Sequence, residues 1–275
     1  MTVAAPEIPR TPLDRLRWAV ADAWTITRRG LIHWARQPAV VLVGLLFPVL
    51  LVLMFGYLLG GGMAVPGGGD YREFLLPGMF AMTMAFGIEA TFTAVSTDAS
   101  RGVTDRFRSM PMASSAVVAG RSASDMIYSA AGLGLMVACG LAVGWRWHHG
   151  IGDALLAFAL LLLLRFALIW VGVYLGLVMG TPEALMAVQI LVWPLGMLSN
   201  AFVATETMPG WLGAIAEWNP LSATVLATRA LFGNPGQGGD SWPAEHAVPM
   251  AVAWPLLILV IFVPLSVRSY RRLSR

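Results

Sequence analysis

Residues 154–179 read ALLAFALLLLLRFALIWVGVYLGLVM and carry a single charged side chain, that of Arg165. An apolar run of about 20 residues is long enough to cross the hydrocarbon core of a bilayer as a helix. The rest of the chain suits the same environment, because 57% of its 275 residues are hydrophobic and 12% are charged. Soluble domains carry about 25% charged residues. We therefore predict an all-α membrane protein.

Five more apolar stretches of similar length predict six transmembrane helices in total. A glycine-rich loop, Gly60–Gly69, follows the first span, a polar segment, Thr97–Ser124, follows the second, and a long segment, Ala204–Ala247, precedes the last. The predicted spans are Pro38–Leu59, Phe74–Ser96, Asp125–Val143, Ala154–Met179, Ala184–Val203 and Val248–Val267.

The arginines indicate which side of the membrane each loop occupies. The chain has 18 basic residues, all of them arginine. If the N-terminus is cytoplasmic, fourteen arginines lie inside, and only Arg72, Arg146 and Arg229 lie outside. Cytoplasmic loops are enriched in arginine, so this distribution favours an even number of spans with both termini cytoplasmic.

The segment before the first span is predicted to be an amphipathic helix. Residues 1–12 are polar and proline-rich, which is typical of a disordered terminus. Residues 13–37 place leucine, valine and tryptophan at helical spacing beside several arginines. Such a helix lies in the headgroup plane, although an ordinary surface helix would have the same pattern. Residues 38–275 then form the transmembrane domain.

The most distinctive cytoplasmic segment lies between the second and third spans. It combines charged and apolar side chains, namely Arg101, Asp105, Arg106, Phe107, Arg108 and Pro111. A short charged helix with an apolar knob is suited to docking in the groove of a partner protein. A solvated loop that merely follows the positive-inside rule would fit equally well.

On the opposite side, residues 205–232 are apolar but interrupted by Pro209 and Pro220. Asn219 before Pro220 is a turn signal, and Trp211 and Trp218 provide aromatic surface. We expect a broken pair of short helices that dips into the outer leaflet. The alternative is an interfacial anchor, since tryptophan is common at that depth.

Two ionisable residues, Glu89 and Arg165, fall within predicted spans. Charges there are costly and face a cavity or a partner, so the two could pair, or Glu89 could contact a cationic substrate. Met82 and Met84 could add a soft surface for flat apolar ligands, or simply pack against helices. Gly172, Gly176 and Gly180 are spaced for close helix contact.

Several classes of function find no support in the sequence. A P-loop needs a lysine on the phosphates, and none occurs. Neither HExxH, GxSxG nor CxxC is present, so we predict no catalytic or metal site. The net charge of +3 flanks the spans, so nucleic-acid binding is not expected. One class that the sequence leaves open is a proton-coupled secondary transporter with Glu89 as proton carrier.

Three motifs give the chain a resemblance to ABC-2 type transporter permeases of the daunorubicin/doxorubicin-resistance type. The first is Arg101-Gly-x-x-Asp-Arg-x-Arg-Ser-x-Pro111. The second is Ser199-Asn-Ala-Phe-Val-Ala-Thr205. The third is Met208-Pro-Gly-Trp-Leu212 followed by Trp218-Asn-Pro-Leu-Ser222. The predicted layout of spans is similar as well. One departure is Asp105, where many members carry glutamate.

The resemblance implies a bacterial plasma-membrane exporter of a hydrophobic or amphipathic compound, either a drug or a lipid. Two permease copies, or one copy and a homologous permease, would pair with two separate ATPase subunits that bind ATP and magnesium. Arg101–Pro111 would be the coupling helix in a cleft of the ATPase, and the amphipathic helix would lie beside it. Trp211, Trp218, Asn219 and Pro220 would belong to an outer gate.

Overall fold

The computed structural model describes residues 11–60, 65, 68–101, 114–236 and 241–272, and all regular structure in these ranges is helical. A π-helical segment, Met54–Leu59, extends α2, and a 3-10 turn, Thr205–Thr207, precedes α7. The α-helices are α1 (Pro12–Ala35), α2 (Pro38–Leu53), α3 (Tyr71–Ser100), α4 (Ser114–Ala142), α5 (Ile151–Met179), α6 (Pro182–Met197), α7 (Gly210–Glu217), α8 (Pro220–Phe232), α9 (Trp242–Glu245) and α10 (Ala247–Arg272).

Four of the described helices are long and apolar enough to cross a membrane, namely Tyr71–Ser100, Ala116–Ala142, Ile151–Met179 and Ala247–Tyr270. Two further apolar helices, Leu42–Leu58 and Glu183–Met197, are shorter. The all-helical membrane class predicted from the sequence is therefore confirmed. The described residues account for four spans of full length rather than the expected six.

Two helices have other bounds than the spans predicted from the sequence. The predicted third span begins at Asp125, but α4 is already helical at Ser114, and α1 packs on this early part. The predicted fifth span reaches Val203, but α6 ends at Met197. Pro194 deprives the last turn of one backbone donor, and the Ser199 hydroxyl donates to the Gly196 carbonyl as the chain turns away.

Helix α3 lies at the centre of the fold. Within its most apolar window, 67% of residues are buried, against 22% in α10. α5 packs closely along α3, because a Cβ at Gly172 would lie 2.9 Å from Thr91 Cβ, and one at Gly176 would lie 2.9 Å from Val95 Cβ. The prediction that these two glycines permit close helix packing is confirmed. On its other side, α5 receives a hydrogen bond from Ser266 of α10 to the Trp170 carbonyl.

The N-terminal helix α1 runs alongside the first half of α4. Thr27 donates a hydrogen bond to the Gly120 carbonyl at 2.9 Å, Gly30 lies against Ser124, and the ring of Trp34 lies 4.5 Å from that of Tyr128. Contacts that advance in step along both helices mean that the two run in the same direction. Thr11 caps the start of α1 by accepting from the Asp14 amide. The expected helix is present, and one of its faces is covered by α4.

Substituting Gly176 by alanine should lower the free energy of unfolding by about 1–3 kcal/mol, because the new methyl group overpacks the α3–α5 contact. The neighbouring atoms are Val95 Cβ and the Phe92 carbonyl oxygen, which lie 2.9 and 3.0 Å from the position that the methyl carbon would take. Thermal unfolding in detergent measures the loss.

The matched control is Gly134→Ala, where no described heavy atom lies within 4 Å of the added methyl. Alanine is the better helix former by up to roughly 1 kcal/mol, so this variant should be as stable as the wild type or more so. Equal stability of the two variants would show that α3 and α5 are not closely packed at Gly176.

Candidate functional site

Where α3 ends and α4 begins, an ion-pair cluster formed by Asp98, Arg121 and Arg29 connects three helices. Arg121 donates to Asp98 Oδ2, and Arg29 Nη2 of α1 lies 3.6 Å from Asp98 Oδ1. α3 ends at Ser100 and α4 is helical from Ser114, so the cluster fixes the two helices on either side of residues 102–113. Sequence reasoning treated Arg121 only as an inside charge and missed its partner.

Of the predicted coupling residues, only Arg101 is described, and it is an exposed residue in the turn after α3. The other predicted coupling residues lie outside the described ranges, and they are Asp105, Arg106, Phe107, Arg108 and Pro111.

Deeper in the membrane domain, a buried polar cluster joins α3, α4 and α5. Arg165 of α5, 2% exposed, donates from Nε to Ser129 Oγ at 2.7 Å and from Nη2 to Thr91 Oγ1 at 2.9 Å. Thr91 in turn donates to Asp125 Oδ2 at 2.8 Å. Gly87 makes room for the guanidinium, which a methyl group there would overlap.

This cluster corrects two interpretations of the sequence. The sequence allows Arg165 and Glu89 to pair, but Arg165 bonds to Thr91 and Ser129 instead. The pattern of apolar residues places Asp125 at the edge of a span, yet it is buried within α4. The signal that could have revealed the cluster is Arg165 itself, because a charged side chain in a membrane span is unfavourable unless it has a polar or acidic partner.

Glu89 is a residue of α3, and its carboxylate accepts a 3.3 Å hydrogen bond from the side-chain amide of Gln189 in α6. One helical turn away is an aromatic cluster of Phe47, Phe86 and Trp193, contributed by α2, α3 and α6. Its closest ring centroids, those of Phe86 and Trp193, are 4.8 Å apart, and the other pairs are within 6.4 Å. A carboxylate beside aromatic faces is a suitable surface for a flat cationic molecule. Sequence reasoning missed Trp193 and Gln189.

The two methionines predicted to line a substrate path, Met82 and Met84, are both buried in the core around α3. Met82 packs against Gly196 of α6, where an added methyl would overlap its sulfur-bearing end. In this conformation both side chains contribute to helix packing.

Residues 205–232, which were predicted to lie on the outer side and keep the name outer segment, contain the helices α7 and α8 joined at Asn219. The Asn219 side chain accepts from the Leu221 amide at 2.9 Å and donates to the Leu195 carbonyl at 2.8 Å. It thereby caps α8, begun by Pro220, and satisfies a carbonyl near the end of α6. Trp211 and Trp218 are 69% and 53% exposed, and the Trp218 ring stacks on that of Trp242.

Arg229 of α8 fastens the outer segment to α3, although sequence reasoning only counted it as an outside arginine. Its guanidinium carbon lies 3.7 Å from the Phe74 ring centroid, Nε donates to the Phe74 carbonyl at 3.0 Å, and Nη2 donates to the Asn200 carbonyl at 2.9 Å. Gly78 allows Ala201 to approach the α3 backbone, where any Cβ would overlap it. Burial lowers the pKa of Arg229, yet a guanidinium remains protonated at neutral pH.

An ion pair between Asp70 and Arg72 marks the start of α3. Asp70 caps the helix by accepting from the Arg72 amide and side chain, and this side-chain bond lowers the pKa of the Asp70 carboxyl. Within the described ranges, no group of three or more histidine, cysteine, aspartate or glutamate side chains is arranged to hold a metal ion.

Residues 21–232, which include the Asp98 cluster, the buried polar cluster and the outer segment, match the ABC-2 type transporter family. The chain belongs to that family. It is 32% identical over 261 residues to the daunorubicin resistance ABC transporter permease protein DrrB1 of Streptomyces coeruleorubidus, covering 94% of this chain and 89% of the relative. The resemblance inferred from the three sequence motifs is thus confirmed.

More distant relatives have the same kind of name. The doxorubicin resistance ABC transporter permease protein DrrB of Mycobacterium tuberculosis (strain CDC 1551 / Oshkosh) is 27% identical over 210 residues, which cover 73% of this chain and 70% of the relative. The putative transport permease ycf38 of Cyanophora paradoxa is 24% identical over 253 residues, covering 88% and 85%.

Replacing Arg229 by methionine should loosen the outer segment, because the buried carbonyls of Phe74 and Asn200 lose a charged donor. Hydrogen bonds to charged groups contribute about 1.5–3 kcal/mol. Their loss should therefore raise the rate of amide exchange in residues 220–232 roughly tenfold or more. Hydrogen exchange with mass spectrometry measures this. Arg146→Met is the control, since Arg146 donates to the carbonyl of Leu141 at the end of α4 and to that of its neighbour Trp145. Unchanged exchange in the Arg229 variant would contradict the fastening role.

Proposed function

We propose that this chain is the membrane-spanning permease subunit of an ATP-driven exporter, powered by separate ATPase subunits. The observation that carries the proposal is the family match over residues 21–232. The absence of lysine from these 275 residues supports the division of labour, because a P-loop holds phosphates with a lysine. ATP and magnesium would be bound by the partner ATPase and not by this chain.

The exporter would use six spans, with the α2 segment and α6 added to the four long helices. Pro38–Leu59 comprises 22 residues in one continuous helical path, which at 1.5 Å per residue gives about 33 Å, enough to cross the hydrocarbon core. α6 has 16 residues, or about 24 Å, and its path across the outer leaflet would be completed by the turn after Met197. Both termini would then be cytoplasmic, with α1 at the inner interface.

The driving contact would be the segment Arg101–Pro111, docked in a cleft of the ATPase. The Asp98 cluster supports this assignment, because it holds together α1, α3 and α4 next to that segment. Pushing on residues 102–113 would therefore move three helices together. A second copy of this chain, or a homologous permease, would complete the translocation path in the membrane.

The proposed cargo is a flat amphipathic cation that crosses the membrane next to Glu89. The Glu89 carboxylate and the aromatic cluster of Phe47, Phe86 and Trp193 lie one helical turn apart. The carboxylate would contact the positive charge of the cargo, and the aromatic rings would contact its flat face. The names of the relatives, which refer to daunorubicin and doxorubicin, support the same chemistry. Trp211, Trp218, Asn219 and Pro220 would form the outer gate through which the cargo leaves.

Affinity purification of the chain in mild detergent tests the partner. We expect a P-loop ATPase to copurify in stoichiometric amount. Arg106→Ala and Arg108→Glu should each weaken its association, because both side chains are on the proposed contact segment, while the outer variant Arg146→Ala should not. Retention of the ATPase and of normal coupling by both inner variants would reject the docking assignment. Failure to recover any ATPase in several detergents would favour a proton-coupled transporter using Glu89.

Glu89→Gln should reduce export of a cationic cargo about tenfold, because the loss of a partly desolvated charge contact costs on the order of 1.4 kcal/mol. Uptake into inverted vesicles is measured with daunorubicin and with its neutral N-acyl derivative, which should be little affected. Glutamine can still bond Gln189, so the fold should persist. Glu206→Gln, an exposed position in the outer 3-10 turn, is the control. Equal losses for both cargoes would remove Glu89 from substrate recognition.

A further inference from the structure

The buried polar cluster of Thr91, Asp125, Ser129 and Arg165 is not needed merely to fill space. Apolar side chains of similar volume pack a helix bundle without the cost of desolvating charges. Moreover, Arg165 Nη1 has no hydrogen-bond acceptor among the described residues, and a buried polar atom without a partner is itself unfavourable. The arrangement seen here therefore leaves part of the guanidinium's bonding capacity unused.

The position of the cluster relates it to the proposed driving segment. Thr91 lies nine residues before the end of α3 and Asp125 eleven residues after the first described residue of α4. These separations correspond to about 14 and 17 Å of helix, so both residues lie at similar distances from the two helix ends that flank residues 102–113 in sequence. Arg165 belongs to α5, which is not adjacent in sequence to that segment. The cluster is thus a polar connection from the two helices that would be driven to a third.

Thr91 holds the central place in this connection. Its hydroxyl donates to the Asp125 carboxylate and accepts from the Arg165 guanidinium. The two opposite charges are thereby joined through one hydroxyl. A displacement of α4 against α5 that brings Asp125 to the unused Nη1 would replace the hydroxyl bridge with a direct ion pair. Packed helices with two such discrete arrangements are what transmits motion between distant sites.

We propose that Thr91 is a positioning residue for transport, through which the Asp125–Arg165 pair alternates between a bridged and a direct arrangement as the ATPase acts. The inference rests on the proposed exporter function and deepens it by assigning the connection between residues 102–113 and α5. Thr91 contacts neither ATP nor cargo in this assignment. It sets how much of the motion at the cytoplasmic ends of α3 and α4 reaches α5.

The test uses the complex of this chain with its ATPase in proteoliposomes, with daunorubicin as the probe and two rates measured side by side. Thr91→Val keeps the shape of the side chain and removes the hydroxyl. Daunorubicin moved per ATP hydrolysed should fall about tenfold, since the lost bonds involve charged groups, while basal hydrolysis and the melting temperature of the complex stay near the wild-type values. Thr91→Ser, which restores the hydroxyl, should recover most of the transport.

The control is Thr93→Val on the same helix, where the hydroxyl donates only to the Glu89 carbonyl of its own turn. It should transport as the wild type does.

Equal transport per ATP in the Thr91→Val and wild-type complexes overturns the assignment of Thr91 as a positioning residue but leaves the proposed exporter function standing. If Thr91→Val does not assemble, Ser129→Ala, which removes the acceptor for Arg165 Nε, is measured instead: a fall in daunorubicin moved per ATP supports the proposal, and wild-type transport overturns it. Loss of assembly in both variants assigns the cluster to folding and overturns the proposal. A wild-type complex that hydrolyses ATP without moving daunorubicin overturns the proposed cargo and this assignment with it.

Discussion

A charged side chain buried within a protein must find its partners there, and α3 provides them for both buried arginines. Arg165 receives an acceptor from Thr91, and Arg229 receives the carbonyl and the ring of Phe74. An unpaired buried charge costs several kcal/mol or more, so neither arginine could remain where it is without this helix. The close approach of α5 at Gly172 and of the outer turn at Gly78 is consequently a requirement.

Sequence patterns were sufficient for the fold class and most helices, because apolar periodicity and length are set locally. The helix ends were less predictable. α4 begins well before Asp125, since its first turns are stabilised by α1 through Gly120 and Thr27, a contact between residues 93 positions apart. α6 ends before its apolar sequence does, where Pro194 and Ser199 act locally and Asn219 from a later segment binds the carbonyl of Leu195. Tertiary contacts therefore contribute to both boundaries.

The candidate site divides in the same way. Glu89 and Arg165 stood out as membrane-embedded charges, and the motif-bearing outer segment was recognisable from its prolines and tryptophans. The identity of their partners was not, because nothing in linear spacing pairs Arg165 with Ser129 across 36 positions or Glu89 with Gln189 across 100. Asp125 illustrates the difficulty well. At the edge of an apolar run it resembled a boundary residue, and only the packing of three helices gives it a buried partner.

Helix α3 joins two sets of interactions that would otherwise be independent. Phe74 near its outer end holds Arg229 and the outer segment, while Thr91, seventeen residues or about 26 Å further along, belongs to the buried polar cluster. Residues 75–82, the half of this stretch nearer Phe74, are buried throughout, so this half is held closely by its neighbours. When α3 moves as a body, α5, which packs along it through glycines, has to follow or slide. Whether α5 follows or slides depends on the hydroxyl-bridged contact between Thr91 and Arg165. This contact is a directional hydrogen bond, whereas the apolar contacts around it fix the relative position of α3 and α5 less specifically.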